Sequence, residues 1–230
     1  DLHSLDAPAG GYEAACLAPP PPLTKIAWSA DLGYAAVDGA VLEVAEKAAR
    51  RLAEALGAEL VEAHPGFDNP IGAWFTLGAP GDAAMVDSLG EEQRALLEPG
   101  YLRFSDTGRE FSAVDVANAL QVRHRVNQQV NRFLDEYTLL LTPTVAAPAF
   151  AAEGPPPTVI AGREVGGAGF IPFTYPFNLT GHPAASLPAG PDRAGMPVGL
   201  QVVAPRFAEA LLLSVSAAYE AASPWGWPGD

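Results

Sequence analysis

The chain has 230 residues, of which 49% are hydrophobic and 17% charged, which is enough apolar material for a packed core and argues against a disordered chain. Its formal net charge is -14, with 27 acidic against 13 basic residues, so it would repel phosphate backbones and a nucleic-acid partner is not expected. The most apolar stretches, around 139–152 and 210–218, fall short of the ~20 residues a membrane-spanning helix needs, so no membrane insertion is expected.

Residues 1–23 read as an irregular surface connector, because Pro19–Pro22 forbids a helix and favours an extended chain. Residues 24–230 read as one α/β domain. Lys25–Trp28 has the look of a short strand. Asp38 is placed to cap a helix whose Val41, Val44, Ala45, Ala48, Leu52 and Leu56 recur at helical spacing. Gly57 stands where a left-handed residue ends a helix, and Glu59–Glu62 is a second strand. Strand, helix and strand joined by short links imply a right-handed parallel crossover.

From 69 to 97 the pattern is helical but interrupted at Gly78, Pro80 and Gly81. Ser112 with Asp115 forms a capping box opening a long helix, with Val116, Leu120, Val126, Val130, Phe133 and Tyr137 on its apolar face. Thr138–Thr142 is a buried type of strand stopped by Pro143. Residues 143–183 form a Pro- and Gly-rich excursion, too long for an idle loop. Residues 184–188 and 198–203 flank a turn at 190–195 and predict a hairpin. Phe207, Leu211, Leu212, Val215, Ala218, Tyr219 and Ala222 predict the inward stripe of a last helix. The expected class is α/β, a mixed sheet covered by helices, with at least one sheet edge left open or covered by another segment.

The chemistry visible in the residues is sparse. Amide hydrolysis needs a nucleophile, a base and oxyanion donors, yet the chain has neither a Gly-x-Ser-x-Gly elbow nor a Ser-x-x-Lys pair. Lys25 and Lys47, the two lysines, have no serine beside them in a Gly-rich turn. His3, His64, His124 and His182 are scattered without metal-ligand spacing, and His64 with Asp68 is the one weak acid–base or metal candidate. Gly162, Gly166, Gly167 and Gly169 do not make a phosphate-binding turn, so neither metal nor cofactor is expected. Cys16 has no partner for an internal disulfide, which fits a reducing, cytoplasmic setting. The chain opens on Asp1 with no leader-like segment, so the expectation is a cleaved start or one part-way along a longer polypeptide.

One set of segments points further. Thr142-Pro143-Thr144 is followed by Phe173-Thr174-Tyr175-Pro176-Phe177-Asn178-Leu179-Thr180-Gly181-His182-Pro183, then Ala185-Ser186-Leu187-Pro188-Ala189-Gly190, then Met196-Pro197-Val198-Gly199-Leu200-Gln201. In this order they resemble the C-terminal portion of the amidase-signature family, and the resemblance extends from about Leu23 to Trp227. It implies an enzyme that cleaves amide C–N bonds with a Ser–cis-Ser–Lys triad, none of whose members matches a position here. The implied role of this chain is then a pocket wall and part of a shared sheet, inactive alone, with the N-terminal catalytic segment and a small amide as partners and a homodimer as a further option. Trp74, Phe170, Phe173 and Tyr175 are the candidate aromatic lining. Asn178, bracketed by Pro176 and Pro183, is either a loop clamp or a substrate contact. The tRNA-dependent amidotransferase A subunits resemble the same region, but Ile171 and Pro172 stand where they carry an acidic residue, which favours a general amidase. A truncated, non-catalytic binding module is the remaining alternative.

Overall fold

The structure is a computed structural model and describes residues 10–225; His3, Trp227 and the start of the expected connector lie outside the described residues. The connector is not irregular throughout. Gly11–Leu17 forms a helix, α1, which lies against the C-terminal helix, and only then does the proline run extend.

A five-stranded mixed sheet follows from β1 (Lys25–Trp28), β2 (Glu59–Glu62), β3 (Leu140–Pro143), β6 (Ala184–Pro191) and β7 (Pro197–Val203), in the order β2-β1-β3-β7-β6. β1 runs parallel to both β2 and β3, while β7 is antiparallel to β3 and to β6. The parallel crossover is made by α2 (Gly39–Leu56). The Asp38 carboxylate accepts from the Ala40 N–H at 2.8 Å at its start, and Gly57 ends it at φ 63. β2 and β6 are the sheet's edges, with no further partner among the described residues. Between β3 and β6 lie a two-stranded ribbon, β4 (Val159–Ile160) with β5 (Arg163–Glu164), and the short helix α7 (Tyr175–Thr180).

Alternation along the strands sends side chains to two cores. Ile26, Trp28, Leu139, Leu141, Leu200 and Val202 face α2 and α8 (Glu209–Ala222), whose Val41, Leu52, Val215 and Tyr219 are fully buried. Ala27, Leu140 and Val203 face the other way, toward Val126, Val130 and Leu134 of α6 (Ala113–Glu136) and toward Phe173 and Phe177. The capping box of α6 is present, with the Asp115 N–H donating to Ser112 Oγ and the Ser112 N–H to the Asp115 carboxylate. Its buried face agrees with the expected one at Val126 and Val130 and differs elsewhere. Ala119, Val126, Val130 and Leu134 are buried, Leu120 is exposed, and Tyr137 is the C-cap. A stripe through small Ala119 lets neighbouring helices approach closely, and Leu120 falls just off it.

Two further expectations differ. Residues 71–87 are one continuous helix, α3 (Ile71–Asp87), which runs through Gly78, Pro80 and Gly81; α4 (Glu91–Arg94) and α5 (Pro99–Thr107) follow. Tertiary packing overrides the local breakers: α3 is held by α6 and α5, and Gly108 seats its backbone against the Ala79 carbonyl and Pro80, where any Cβ would collide. Phe207 lies outside α8, 63% exposed and at φ 66, with the Arg206 guanidinium 4.8 Å above its ring. The hairpin forms as expected but longer, its turn tied by the Asp192 carboxylate accepting from the Ala194 and Met196 N–H groups at 2.9 and 2.8 Å.

Candidate functional site

An open cavity of about 490 Å³ lies where α3, α5, the 166–171 turn and the start of α7 meet. α3 supplies Ile71, Trp74 and Phe75, α5 supplies Phe104, the turn supplies Gly166 to Ile171, and α7 supplies Tyr175. The rings are mutually braced: Trp74 to Phe75 at 5.1 Å near edge-on, Phe75 to Phe104 at 5.6 Å, and Trp74 to Tyr175 at 5.9 Å. Phe150 backs Phe170 edge-on at 5.2 Å. Such offset and tilted geometries are the favourable ones for aromatic pairs, so the rings support one another along the wall.

The polar groups at this wall are few and connected. The Tyr175 hydroxyl donates to Asn69 Oδ1 at 2.7 Å, and the Ile71 N–H donates to the same oxygen at 3.0 Å as α3 begins. The Tyr34 hydroxyl donates to the Pro172 carbonyl at 2.7 Å, which ties the 166–175 segment to the chain after β1. Burial pushes the Tyr34 phenol well above its ordinary range, reinforced by the neighbouring Tyr175. Burial likewise raises Tyr175, opposed in part by hydrogen bonds with Tyr34 and Asn69. Both phenols therefore stay protonated at neutral pH and act as donors.

Of the aromatic residues expected to gather, Trp74, Phe170 and Tyr175 come together on the cavity. Phe173 does not. Its ring is fully buried in the core beneath, and its carbonyl accepts from Gln201 Nε2 at 2.9 Å. Asn178 is exposed on α7, away from the cavity, and its side chain makes no hydrogen bond among the described residues, so it clamps nothing here. The clamp is made by others. His182 Nε2 meets Asn131 Oδ1 at 3.1 Å and its Nδ1 meets Thr180 Oγ1 at 2.8 Å, while Asn127 Nδ2 donates to the Thr180 carbonyl at 2.9 Å. Burial and then the Arg206 charge hold the His182 imidazole down at about 4, so it is neutral at physiological pH.

The separated motifs found in the sequence meet in one place. Gln201 Nε2 donates to Thr142 Oγ1 at 3.0 Å as well as to Phe173, joining β7, β3 and the 166–175 segment. Beside it, Thr144 and Ser186 share a hydroxyl hydrogen bond of 2.7 Å over Gly199, where a Cβ would lie 2.6 Å from both oxygens. Gln201 and Gly199 thus hold the frame on which the cavity wall rests. Asn69, Ile71, Phe75 and Phe104 were not singled out from the sequence. An Asn just ahead of a helical run was the available signal for Asn69; nothing local marked Phe104. Among the described residues no three His, Cys, Asp or Glu side chains cluster as a metal site would require, and His64 and Asp68 are both exposed. No helix of the described residues is long and apolar enough to cross a membrane.

The cavity has an aromatic wall with a few polar groups beside it. Comparison with known proteins gives it a family. The Amidase family profile matches residues 15–213, and the chain belongs to that family. An acylamidase of Rhodococcus erythropolis is 33% identical over 205 residues, covering 87% of this chain and 43% of that protein. The crystal structure of a bacterial aryl acylamidase of the amidase-signature family superposes with a TM-score of 0.81 at 28% identity, over 94% of this chain and 46% of that one. A 6-aminohexanoate cyclic dimer hydrolase gives 0.76 at 27% identity, over 96% and 50%. The chain therefore spans about half the length of these relatives.

Proposed function

We propose that this chain builds the substrate-binding wall of an amidase that hydrolyses the C–N bond of a small amide with an aryl or extended aliphatic part. The nucleophile and its activating lysine would come from outside these 230 residues. The observation that carries this reading is the cavity itself: four ordered rings, Trp74, Phe75, Phe104 and Phe170, surround it without a candidate nucleophile–base pair among its lining residues. An apolar concavity with a few placed polar groups suits a small organic substrate. The names of the relatives, an acylamidase, an aryl acylamidase and a cyclic amide-dimer hydrolase, support the same substrate class. In this reading Trp74, Phe170 and Tyr175 touch the substrate, whereas Phe173 and Asn178 act at one remove. A cytoplasmic setting is part of the reading and rests on the single, exposed Cys16.

The test is steady-state kinetics of the full-length protein on a panel of aryl and short aliphatic amides. Phe75→Ala and Phe104→Ala should each raise KM for the aryl members by roughly ten-fold or more, with little change for acetamide-sized ones. The chain expressed alone should turn over none of them. Turnover by the chain alone, abolished on replacing one of its own Ser or Lys residues, would refute this division of labour.

A further inference from the structure

The cavity has one polar side chain whose orientation is settled by its neighbours. Asn69 Oδ1 accepts two protons, from the Tyr175 hydroxyl at 2.7 Å and from the Ile71 N–H at 3.0 Å. A backbone N–H can only donate, so turning the carboxamide over would set its NH2 against that N–H. On this exposed side chain the oxygen is therefore fixed toward Tyr175 and the start of α3, and both its lone pairs are used. The NH2 group is left on a side chain that lines the cavity, with no hydrogen-bond partner among the described residues. The one proton of the Tyr175 hydroxyl is already given to Asn69, so that phenol does not compete as a donor.

We propose that Asn69 is a specificity-determining residue of the substrate cavity, donating from its side-chain NH2 to an oxygen acceptor carried by the amide substrate. The preferred substrates then combine an aromatic or aliphatic body, packed on Trp74 and Phe75, with a carbonyl, nitro or ether oxygen at the position Asn69 reaches. This inference rests on the proposed amidase reading and adds which amides are chosen. Tyr175 and the first turn of α3 are the positioning elements, because they hold the carboxamide in one orientation. A binding group fixed before the substrate arrives loses little freedom on binding it.

The same bonds would serve a residue that merely starts a helix, and the test separates the two roles. Asn69→Asp keeps an oxygen to accept from Tyr175 and Ile71 but removes the donor. The full-length enzyme and this variant are compared on pairs of amides of equal shape, one bearing an oxygen acceptor and one bearing a methyl in its place. The expected result is a wild-type preference for the acceptor member that falls roughly ten- to hundred-fold in Asn69→Asp, as kcat/KM, at an unchanged thermal midpoint. An analogue with an ammonium at that position should gain instead. Tyr175→Phe, which removes one of the two bonds that hold the carboxamide oxygen, should lose part of the preference. A ratio that stays flat in Asn69→Asp while amides are still cleaved overturns this inference alone. A full-length enzyme that cleaves no amide overturns it together with the proposed function.

Discussion

On one face of the sheet, Ile26, Trp28, Leu141, Leu200 and Val202 meet two long helices, α2 and α8, in an interface that is almost wholly hydrocarbon. On the other, Ala27, Leu140 and Val203 meet α6, α7 and the loops between β3 and β6, and Thr142, Gln201, Thr180 and His182 are buried among them. The first face is closed by apolar area, which is strong but indifferent to exact placement. The second is closed by apolar area too, through Phe173, Phe177, Val126 and Val130, but it adds directional bonds such as those of Gln201 and His182, and directional bonds fix where a backbone segment lies. The cavity stands beyond the second face, on a segment fastened by the Phe173 carbonyl. The difference teaches that apolar burial stabilises both sides of the sheet, while the bonds that position a segment are concentrated on one.

Substitutions can break that division. The largest loss is expected on the hydrocarbon face: Leu141→Ala leaves a hole under α2 and should cost about 2–5 kcal/mol in denaturant unfolding. The aromatic selectivity of any surviving enzyme should not change; a selectivity change at Leu141 would mean that both faces position the cavity. Next comes Gln201→Leu, which removes two buried hydrogen bonds and leaves the Phe173 carbonyl without its donor, for about 1–3 kcal/mol. Unlike Leu141→Ala, it should also raise KM for aryl amides, because the 166–175 segment is no longer fixed. The last loss depends on pH and is absent at neutrality. His182 is held at about 4 in the fold against 6.5 without it, so the unfolded chain binds a proton that the folded one resists. Its contribution to stability is complete above about pH 6.5, declines as pH falls toward about 4, and changes no further below that. Unfolding midpoints across this window, compared with those of His182→Gln, should show the slope only in the wild type; the same slope in both would assign it to other groups.

The first face was legible in the sequence and the second largely was not. Val41, Ala45, Ala48 and Leu52 repeat at helical spacing between an Asp cap and a terminal Gly, so α2 and the crossover could be read from local signals alone. The hairpin was legible for the same reason, though not its exact ends. In α3, Gly78, Pro80 and Gly81 signalled a break, and contacts with α5, α6, α7 and the turn at Gly108 sustain the helix. Phe75 lay in a stretch read as helical, but with no partner helix in view its face had nothing to pack against. Phe104 comes from a segment with no clear period, and its meeting with Phe75 is a long-range event. Phe173 and Tyr175 are two residues apart, chemically alike and both buried, yet only Tyr175 borders the cavity, a distinction no local pattern carries. Asn178 drew attention because two prolines bracket it, while the bonds that hold that region are made by Thr180, His182, Asn127 and Asn131.

Gly108 is not among the residues that line the cavity, yet it sets how closely two of the helices that do line it can approach. Its backbone rests on the Ala79 carbonyl and Pro80, one turn along α3 from Phe75, and Phe104 lies one turn before it at the end of α5. The two rings are in contact at 5.6 Å, and the helices can come close enough to pair them because position 108 carries no side chain. A methyl at position 108 would push α5 off α3 and part the Phe75–Phe104 pair. The seam that closes one side of the cavity is therefore set in part by a residue outside its lining.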